Sequence, residues 1–153
     1  MILRSVALFA AAIAAMLVLA VSQGYYEHVS AEKYVIAATD AIYTHWDFVE
    51  FEKRADAHLR ETSGFLANGP RFFATLKQQL GSMTHADPPK GEGGVNLAFN
   101  DPDRPIGPYA RYVVQAKFEH GTAELKMSLI KKHGKWAIDW FLVESHFAGA
   151  QPR

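Results

Sequence analysis

Two tyrosines and two aspartates carry the groups that acid–base chemistry at carbon requires. A carboxylate base beside a tyrosine hydroxyl that stabilises an oxyanion, both inside an apolar pocket, is enough for proton transfer. Tyr43, Tyr112, Asp47 and Asp139 supply such groups. Asp47 is better explained as a helix cap, and no stricter catalytic motif surrounds the other three. We therefore do not expect an enzyme, and those three groups are instead candidates for orienting a small apolar ligand.

The seven histidines raise the question of a metal site, because three histidines around an open position form the usual catalytic zinc centre. No two of them lie three or four residues apart, and there is no HExxH sequence. The chain has no cysteine, which excludes thiolate ligands and disulfides. We predict no metal and no cofactor. His45, next to Trp46, is a candidate buried polar group that joins Tyr43, Tyr112 and Asp139 as a lining residue of the ligand pocket.

The charge balance argues against a nucleic-acid partner. Sixteen Lys and Arg residues face sixteen Asp and Glu residues, so no basic excess is present to neutralise phosphates. A length of 153 residues is enough for one domain, and 49% apolar with 21% charged residues is typical of a folded chain. The sequence therefore predicts one folded domain with no nucleic-acid partner.

The elements that would position these side chains begin with a segment expected to meet a membrane. Residues 6–21 form an unbroken run of sixteen apolar residues behind Arg4, and residues 5–26 contain no charge. At about 1.5 Å per residue, these stretches span roughly 24 and 33 Å, which brackets a hydrocarbon core of about 30 Å. We expect the membrane to be contacted through residues 5–26.

Two fates of this segment stay open. The run exceeds the apolar core of about 7–15 residues that is usual in a cleaved signal, and Tyr25 and Tyr26 suit an outer interface. These features favour a single-pass inner-membrane anchor, with the amino terminus inside and the rest extracytoplasmic. Small residues before Gln23 instead favour cleavage near Ser22 and release to the periplasm. The predicted division is an anchor or signal at 1–26, a domain at 27–148 and a tail at 149–153.

Helical periodicity follows the membrane segment. Ser30 is a suitable cap, and we predict that a first helix starts there. Asp47 and Glu50 have capping-box spacing, which predicts a turn at Trp46-Asp47 and a second helix after it. The apolar positions of the first stripe are Val35, Ala38, Ile42, Trp46 and Val49, and those of the second are Phe48, Phe51, Ala55 and Leu59.

A third helix and a long loop are predicted next. The stop at Asn68-Gly69 places Pro70 at a first helical position, and Gly81 suits the carboxyl-terminal end of that helix. Residues 81–108 hold five glycines and five of the seven prolines. We predict that this region is mostly loop, with 95–99 as the only patch suited to a short strand.

The last third of the chain alternates apolar and polar residues with a period of two. The alternating stretches are 109–119, 122–131 and 136–147, with turn signals at His120-Gly121 and His133-Gly134. They predict an antiparallel meander with one buried face. Together with the helices, they predict an α+β fold in which three helices pack on a curved antiparallel sheet.

Consecutive aromatic residues in the last stretch predict a surface contact. Trp140 and Phe141 point to opposite faces of a strand unless a bulge intervenes, so one of them should lie outside the core. Strict alternation would place Asp139 opposite a face formed by Ile138 and Trp140. An exposed aromatic side chain is a candidate contact for an envelope protein or a second copy of the chain.

The carboxyl-terminal block AELKMSLIKKHGKWAIDWF, residues 123–141, resembles the end of nuclear-transport-factor-2-like domains, as do the Trp46-Asp47 turn and Leu80-Gly81. The resemblance covers about residues 30–147 and implies a cone-shaped α+β roll. That superfamily contains isomerases and dehydratases, ligand binders, and non-catalytic periplasmic domains of single-pass membrane proteins. We expect a membrane-tethered extracytoplasmic binding or scaffold module. The alternative is a pocket protein that binds, isomerises or dehydrates a small apolar molecule.

Overall fold

The computed structural model describes residues 2–61, 64–96 and 106–147, with the side chains of 2–12, 17, 20 and 147 left aside. Its helices are α1 (Ile2–Tyr43), α2 (Phe48–Arg54), α3 (Ala57–Glu61) and α4 (Phe65–Leu80). Its strands are β1 (Met83–Ala86), β2 (Lys90–Asn96), β3 (Gly107–Phe118), β4 (Gly121–Lys132) and β5 (Lys135–Phe147). The tail 149–153 lies outside the described residues.

The five strands form one open antiparallel sheet. β3, β4 and β5 are the predicted meander, and β1 and β2 both pair with the other edge of β3. The β4–β5 hairpin turns at His133 and Gly134, which both take positive φ. The prediction of an α+β fold with a carboxyl-terminal meander is therefore confirmed.

One face of the sheet, called here the inner face, is covered by α1. Alternate side chains of β3 are buried there, as the period of two predicts, and α1 contacts β2 and β3. The buried residues of α1 include Ala31, Val35, Ala38 and Ile42. Their spacing of three and four places a single helical stripe against the strands.

The helix does not begin at Ser30, so that prediction is wrong. α1 continues without interruption from the amino-terminal segment to Tyr43, because no proline or glycine separates Tyr26 from Ser30. The Ser30 hydroxyl donates to the Glu27 carbonyl at 3.1 Å and accepts from Trp136 Nε1 at 3.0 Å. Ser30 thus joins the helix to β5 rather than capping it.

The predicted turn after α1 is confirmed. Asp47 caps α2, because its carboxylate accepts from the Glu50 N–H at 3.0 Å. Trp46 has φ of 56°, a left-handed conformation that a non-glycine residue adopts at a cost. Its burial and the 2.7 Å hydrogen bond from its Nε1 to the Gly81 carbonyl stabilise that turn.

The predicted stop at Asn68-Gly69 is wrong, since α4 begins at Phe65 and passes through Gly69 and Pro70. A Cβ at Gly69 would lie 2.2 Å from a ring carbon of Phe48, so the glycine is needed for close packing of α4 on α2. Packing rather than local propensity places this glycine inside a helix. The predicted end of the helix at Gly81 is confirmed.

The prediction of a mostly irregular segment at 81–108 is wrong for the part that is described. β1 and β2 occupy much of it, and both strands use the edge of β3. A Cβ at Gly91 would lie 2.0 Å from the Arg111 carbonyl oxygen, so glycine permits the close approach of β2. Of the predicted strand patch 95–99, residues 95 and 96 lie in β2, and 97–99 fall outside the described residues.

A β-bulge changes the alternation of β5. Ser128 of β4 pairs with Trp140, but Leu129 pairs with Ile138, which leaves Asp139 as the extra residue. Ile138 is buried on the inner face, whereas Trp140 lies on the outer face. The prediction that these two residues share a face is therefore wrong, because the bulge shifts the alternation by one residue.

Within the ranges that the structure describes, no helix combines the length and the apolarity that a membrane crossing needs. Nine of the sixteen residues in the apolar run 6–21 have side chains outside that description. Contact of residues 5–26 with a membrane stays a prediction from the sequence.

Candidate functional site

The four side chains predicted to line a ligand pocket do not converge. Tyr43 is the last residue of α1, and Tyr112 reaches His28 fifteen residues earlier, which is roughly 22 Å along the helix. His45 is exposed in the turn after α1. Asp139 is the bulge residue of β5 and lines a groove on the outer face of the sheet. No single cavity can use all four groups.

Tyr43 is a core residue. Its side chain is fully buried between Trp46 and Phe73, with ring centroids at 5.3 and 6.4 Å. The hydroxyl has no hydrogen-bond partner among the described residues, and burial raises the pKa of this phenol well above its usual value. A buried phenol with a raised pKa stays protonated, and the contacts of Tyr43 are those of a packing residue.

Tyr112 is a structural link between β3 and α1. Its hydroxyl donates to the His28 carbonyl at 3.1 Å and lies 2.9 Å from His28 Nδ1. The hydroxyl has one proton, so both contacts are satisfied when Nδ1 is protonated and donates back. Burial raises the pKa of Tyr112, and the negative charge of Glu32 adds to that effect. The Tyr112 hydroxyl is thus already hydrogen-bonded within the fold.

Metal-binding groups are also dispersed. Among the described residues, no three His, Asp or Glu side chains lie close enough together to hold an ion. The buried carboxylate of Asp56 instead pairs with Lys132, whose Nζ lies 2.9 Å from both oxygens. Burial alone would raise the pKa of Asp56, but hydrogen bonds from Lys132 and from the His58 and Ala57 N–H groups lower it below 3.8. This pair is a structural one.

The two aromatic residues predicted as partner contacts have separate roles. Trp140 lies on the outer face of the sheet and is 49% exposed, next to Leu142 at 38%. Phe141 faces inward and packs edge-to-face on Phe51 with centroids 4.4 Å apart. The prediction that one of the two aromatics lies outside the core is therefore confirmed, and the exposed one is Trp140.

Trp140 borders a shallow groove of about 540 Å³ on the outer face, called here the outer groove. Three cations line it, and two acidic residues pair with one of them: Lys126 contacts Glu144 at 2.7 Å and Glu124 at 3.4 Å. The other two cations, Lys90 and Arg111, have no ion pair within the described part of the chain. Asp139 also lines the groove, so within the described residues it combines an aromatic wall with two cations and one carboxylate that form no ion pair.

The edge of the sheet beside Trp140 is open. Ala55 bridges to Ile138, and the Asp56 N–H donates to the Ile138 carbonyl at 2.7 Å. Beyond that point, residues 139–147 of β5 have no strand neighbour among the described residues along the edge that faces away from β4. Half of the backbone N–H and C=O groups of this stretch are therefore free to pair with another strand.

A second depression, called here the α1–β1 groove, has a volume of about 860 Å³ and was not predicted from the sequence. It runs between one side of α1 and the segment 83–89. Thr39 lines it, with a buried hydroxyl that has no hydrogen-bond partner among the described residues. The signal that could have found it is Ile36, an apolar residue beside the buried stripe of α1 that remains exposed.

Comparisons with family models, with curated proteins and with solved structures give no match to this chain. The resemblance to nuclear-transport-factor-2-like domains therefore stays a prediction from the sequence motifs.

Proposed function

We propose that the chain is a non-enzymatic binding module, held at the outer side of the inner membrane by residues 5–26, that engages an envelope protein through β5. We also propose that its finer architecture is the cone-shaped roll implied by the nuclear-transport-factor-2-like motifs. The observation that carries the binding role is the exposure of Trp140 beside an open sheet edge. The dispersal of Tyr43, Tyr112 and Asp139 supports the absence of catalysis.

Both sides of the open edge offer apolar surface. Trp140 and Leu142 lie on the outer face, and the partly buried Phe141 and Val143 lie on the inner face. An added strand would gain main-chain hydrogen bonds and would cover apolar side chains on both of its faces. Exposed long edges are usually protected by prolines or bulges, and the stretch after the Asp139 bulge has neither.

The geometry favours a strand of a different protein over a second copy. Antiparallel pairing of two β5 edges would place a twofold axis perpendicular to the sheet. Because α1 lies along the inner face, that axis would point the two amino-terminal segments in opposite directions. Two anchors in one membrane must point the same way, so this pairing conflicts with the proposed tether.

The outer groove indicates the chemistry of the partner. Lys90 and Arg111 form no ion pair within the described part of the chain and can therefore pair with an acidic side chain of the partner, while an apolar side chain would pack on Trp140. Binding should then weaken with added salt, because these cations are near the surface. Arg111→Glu should weaken it further.

The tether is tested by intact-mass spectrometry of the natively expressed protein in separated membrane and soluble fractions. A full-length mass in the membrane fraction supports it. A soluble product that begins at Gln23 contradicts the tether and favours a diffusible protein.

The binding surface is tested by a photo-crosslinking amino acid placed at Trp140 in living cells. Leu66 on α4 is the matched site, because it is also exposed. We expect an adduct with another protein from position 140 alone, and its loss on Leu142→Ala but not on Leu66→Ala. Equal adducts at both sites, no adduct at 140, or an adduct between two copies would count against the proposal.

The α1–β1 groove supports a second candidate function, the binding of a small apolar molecule. Its volume lies in the range of about 300–1,000 Å³ typical of ligand sites, and the Thr39 hydroxyl lacks a partner within the part of the chain that the structure describes. A fluorescent apolar probe such as N-phenylnaphthylamine should bind the full chain, and Ile36→Glu should weaken its affinity. Binding that Ile36→Glu leaves unchanged would contradict this use of the groove.

A further inference from the structure

Three contacts define the end of the domain from which the amino-terminal part of α1 departs, called here the exit end. Glu27 pairs with Lys131 at 2.7 Å, and Tyr112 donates to the His28 carbonyl. Ser30 accepts from Trp136. Ser30 is only four residues beyond Tyr26, which is roughly 6 Å along the helix. The exit end therefore lies close to the boundary of the uncharged segment 5–26.

The β4–β5 hairpin brings basic side chains to the exit end. Residues 131–135 read KKHGK. Lys131 and Lys132 are paired with Glu27 and Asp56, respectively. The side chains of His133 and Lys135 are exposed, and neither forms an ion pair within the described ranges. Glu27 and Asp56 are thus paired, and within residues 131–135 the positive charge of Lys135 is outside any ion pair.

Exposed apolar residues accompany the hairpin. Val95, near the end of β2, pairs with Pro108, and the next residue of β3, Tyr109, pairs with Ile130 just before the lysines. Val95 and Ile106 are both exposed. Isolated apolar side chains beside lysines are typical of surfaces that enter the headgroup layer of a bilayer.

We infer that the exit end rests on the headgroups of an anionic bilayer, with Lys135 and His133 facing lipid phosphates and Val95 and Ile106 entering the interface. This inference rests on the proposed tether. One or two basic side chains attract an anionic surface too weakly for binding from solution. A tether raises the local concentration of lipid enough for such a weak contact to be occupied. The contact would fix the orientation of the domain above the membrane.

The absence of cysteine makes a site-specific test direct. The full chain is reconstituted into vesicles of phosphatidylcholine, with or without about one third phosphatidylglycerol, a composition in which anionic charge attracts basic segments. Val95→Cys carries a bimane fluorophore, and a lipid with a nitroxide on its headgroup is the quencher. Thr122→Cys is the matched control, because it is exposed at the opposite end of β4.

We expect quenching at position 95 to exceed that at position 122, and to be greater in the vesicles that contain phosphatidylglycerol. Lys135→Glu should lower quenching at position 95 about twofold, since it reverses one surface charge. Lys117→Glu makes the same change of net charge at the end of the sheet opposite the exit end, and it should leave the quenching at position 95 unchanged. Circular dichroism of each variant checks the fold.

Flotation of the same samples distinguishes a failure of the tether from a failure of the docking of the exit end. A chain that does not float with the vesicles contradicts the tether and hence the proposed function. A chain that floats but shows equal quenching at positions 95 and 122 leaves the tether standing and overturns the docking of the exit end. Equal quenching at position 95 in both lipid mixtures overturns the preference for anionic lipid.

Discussion

The two ends of the domain-bound part of α1 are held by different chemistry. At the exit end, Glu27, His28 and Ser30 contact the sheet through an ion pair and hydrogen bonds. At the far end, Tyr43 and Trp46 pack mainly among aromatic rings; Trp46 Nε1 donates one hydrogen bond to the Gly81 carbonyl, and the Tyr43 hydroxyl has no partner among the described residues.

This difference suggests that one end of α1 contributes most to the stability of the fold and the other to the orientation of the helix. Apolar packing is favourable over a range of geometries and provides most of the folding free energy. Hydrogen bonds and ion pairs are directional, and each adds only about 0.5–1.5 kcal/mol net. The far end therefore stabilises the fold, whereas the exit end sets the angle at which α1 leaves it. Three sets of substitutions test this division.

The largest effect is expected from the aromatic cluster at the far end. Phe73 is 1% exposed and contacts Tyr43, Trp46 and Phe51, so Phe73→Ala should reduce the free energy of unfolding by about 3–5 kcal/mol. The neighbouring Phe72 is 42% exposed, and Phe72→Ala should cost less than half as much. Urea unfolding of both variants measures the difference. Equal losses would contradict the assignment of Phe73 to the cluster that stabilises the far end.

An intermediate effect is expected from the Asp56–Lys132 pair beside the hairpin. Asp56→Asn should cost about 1–3 kcal/mol at pH 7, because Lys132 and two backbone N–H groups lose a charged acceptor. The pKa of Asp56 is lowered on folding, so its stabilising contribution is complete above its ordinary pKa of 3.8 and disappears as the pH falls through the folded value.

Unfolding of the wild type and of Asp56→Asn at pH 7, 5 and 3 checks this dependence. The gap between the two proteins should be constant from pH 7 to 5 and smaller at pH 3. A gap that grows on acidification would show that the sign of the pKa change is wrong.

The smallest effects, of opposite sign, are expected from the two buried tyrosines. Tyr112→Phe removes a hydroxyl that bonds to His28 and should destabilise the protein by about 1 kcal/mol. Tyr43→Phe removes a buried hydroxyl that has no partner in the described ranges, and it should be neutral or stabilising by up to about 1 kcal/mol. Thermal unfolding of both variants in parallel measures the two changes in stability. Destabilisation by Tyr43→Phe would show that the Tyr43 hydroxyl itself forms a hydrogen bond.

The meander and the Asp47 cap could be predicted from the sequence, because their signals are local. An antiparallel strand with one buried face carries its burial in a period of two, and β3 and β4 follow it. The Asp47–Glu50 spacing likewise needs only four residues. The exposure of an aromatic at 140 or 141 follows from the same geometry.

The missed features depend on distant partners. β2 reads KGEGGVN, which has no apolar alternation, and it is a strand because the edge of β3 pairs with it. Gly69 stays within α4 because the Phe48 ring lies against it. The dispersal of Tyr43, Tyr112 and Asp139 follows from the length of α1 and from the bulge, and neither is visible in the spacing of those three residues.

The bulge at Asp139 makes the identity of the exposed surface depend on strand geometry as well as on residue type. Deleting Asp139 would remove the bulge and keep Trp140 on the outer face and Phe141 on the inner face, because the residues on either side of it already alternate. If the bulge were lost while Asp139 was retained, strict alternation from Ile138 would instead place Phe141 and Val143 on the outer face, with no substitution at all. One extra residue in β5 therefore decides which aromatic side chain reaches solvent.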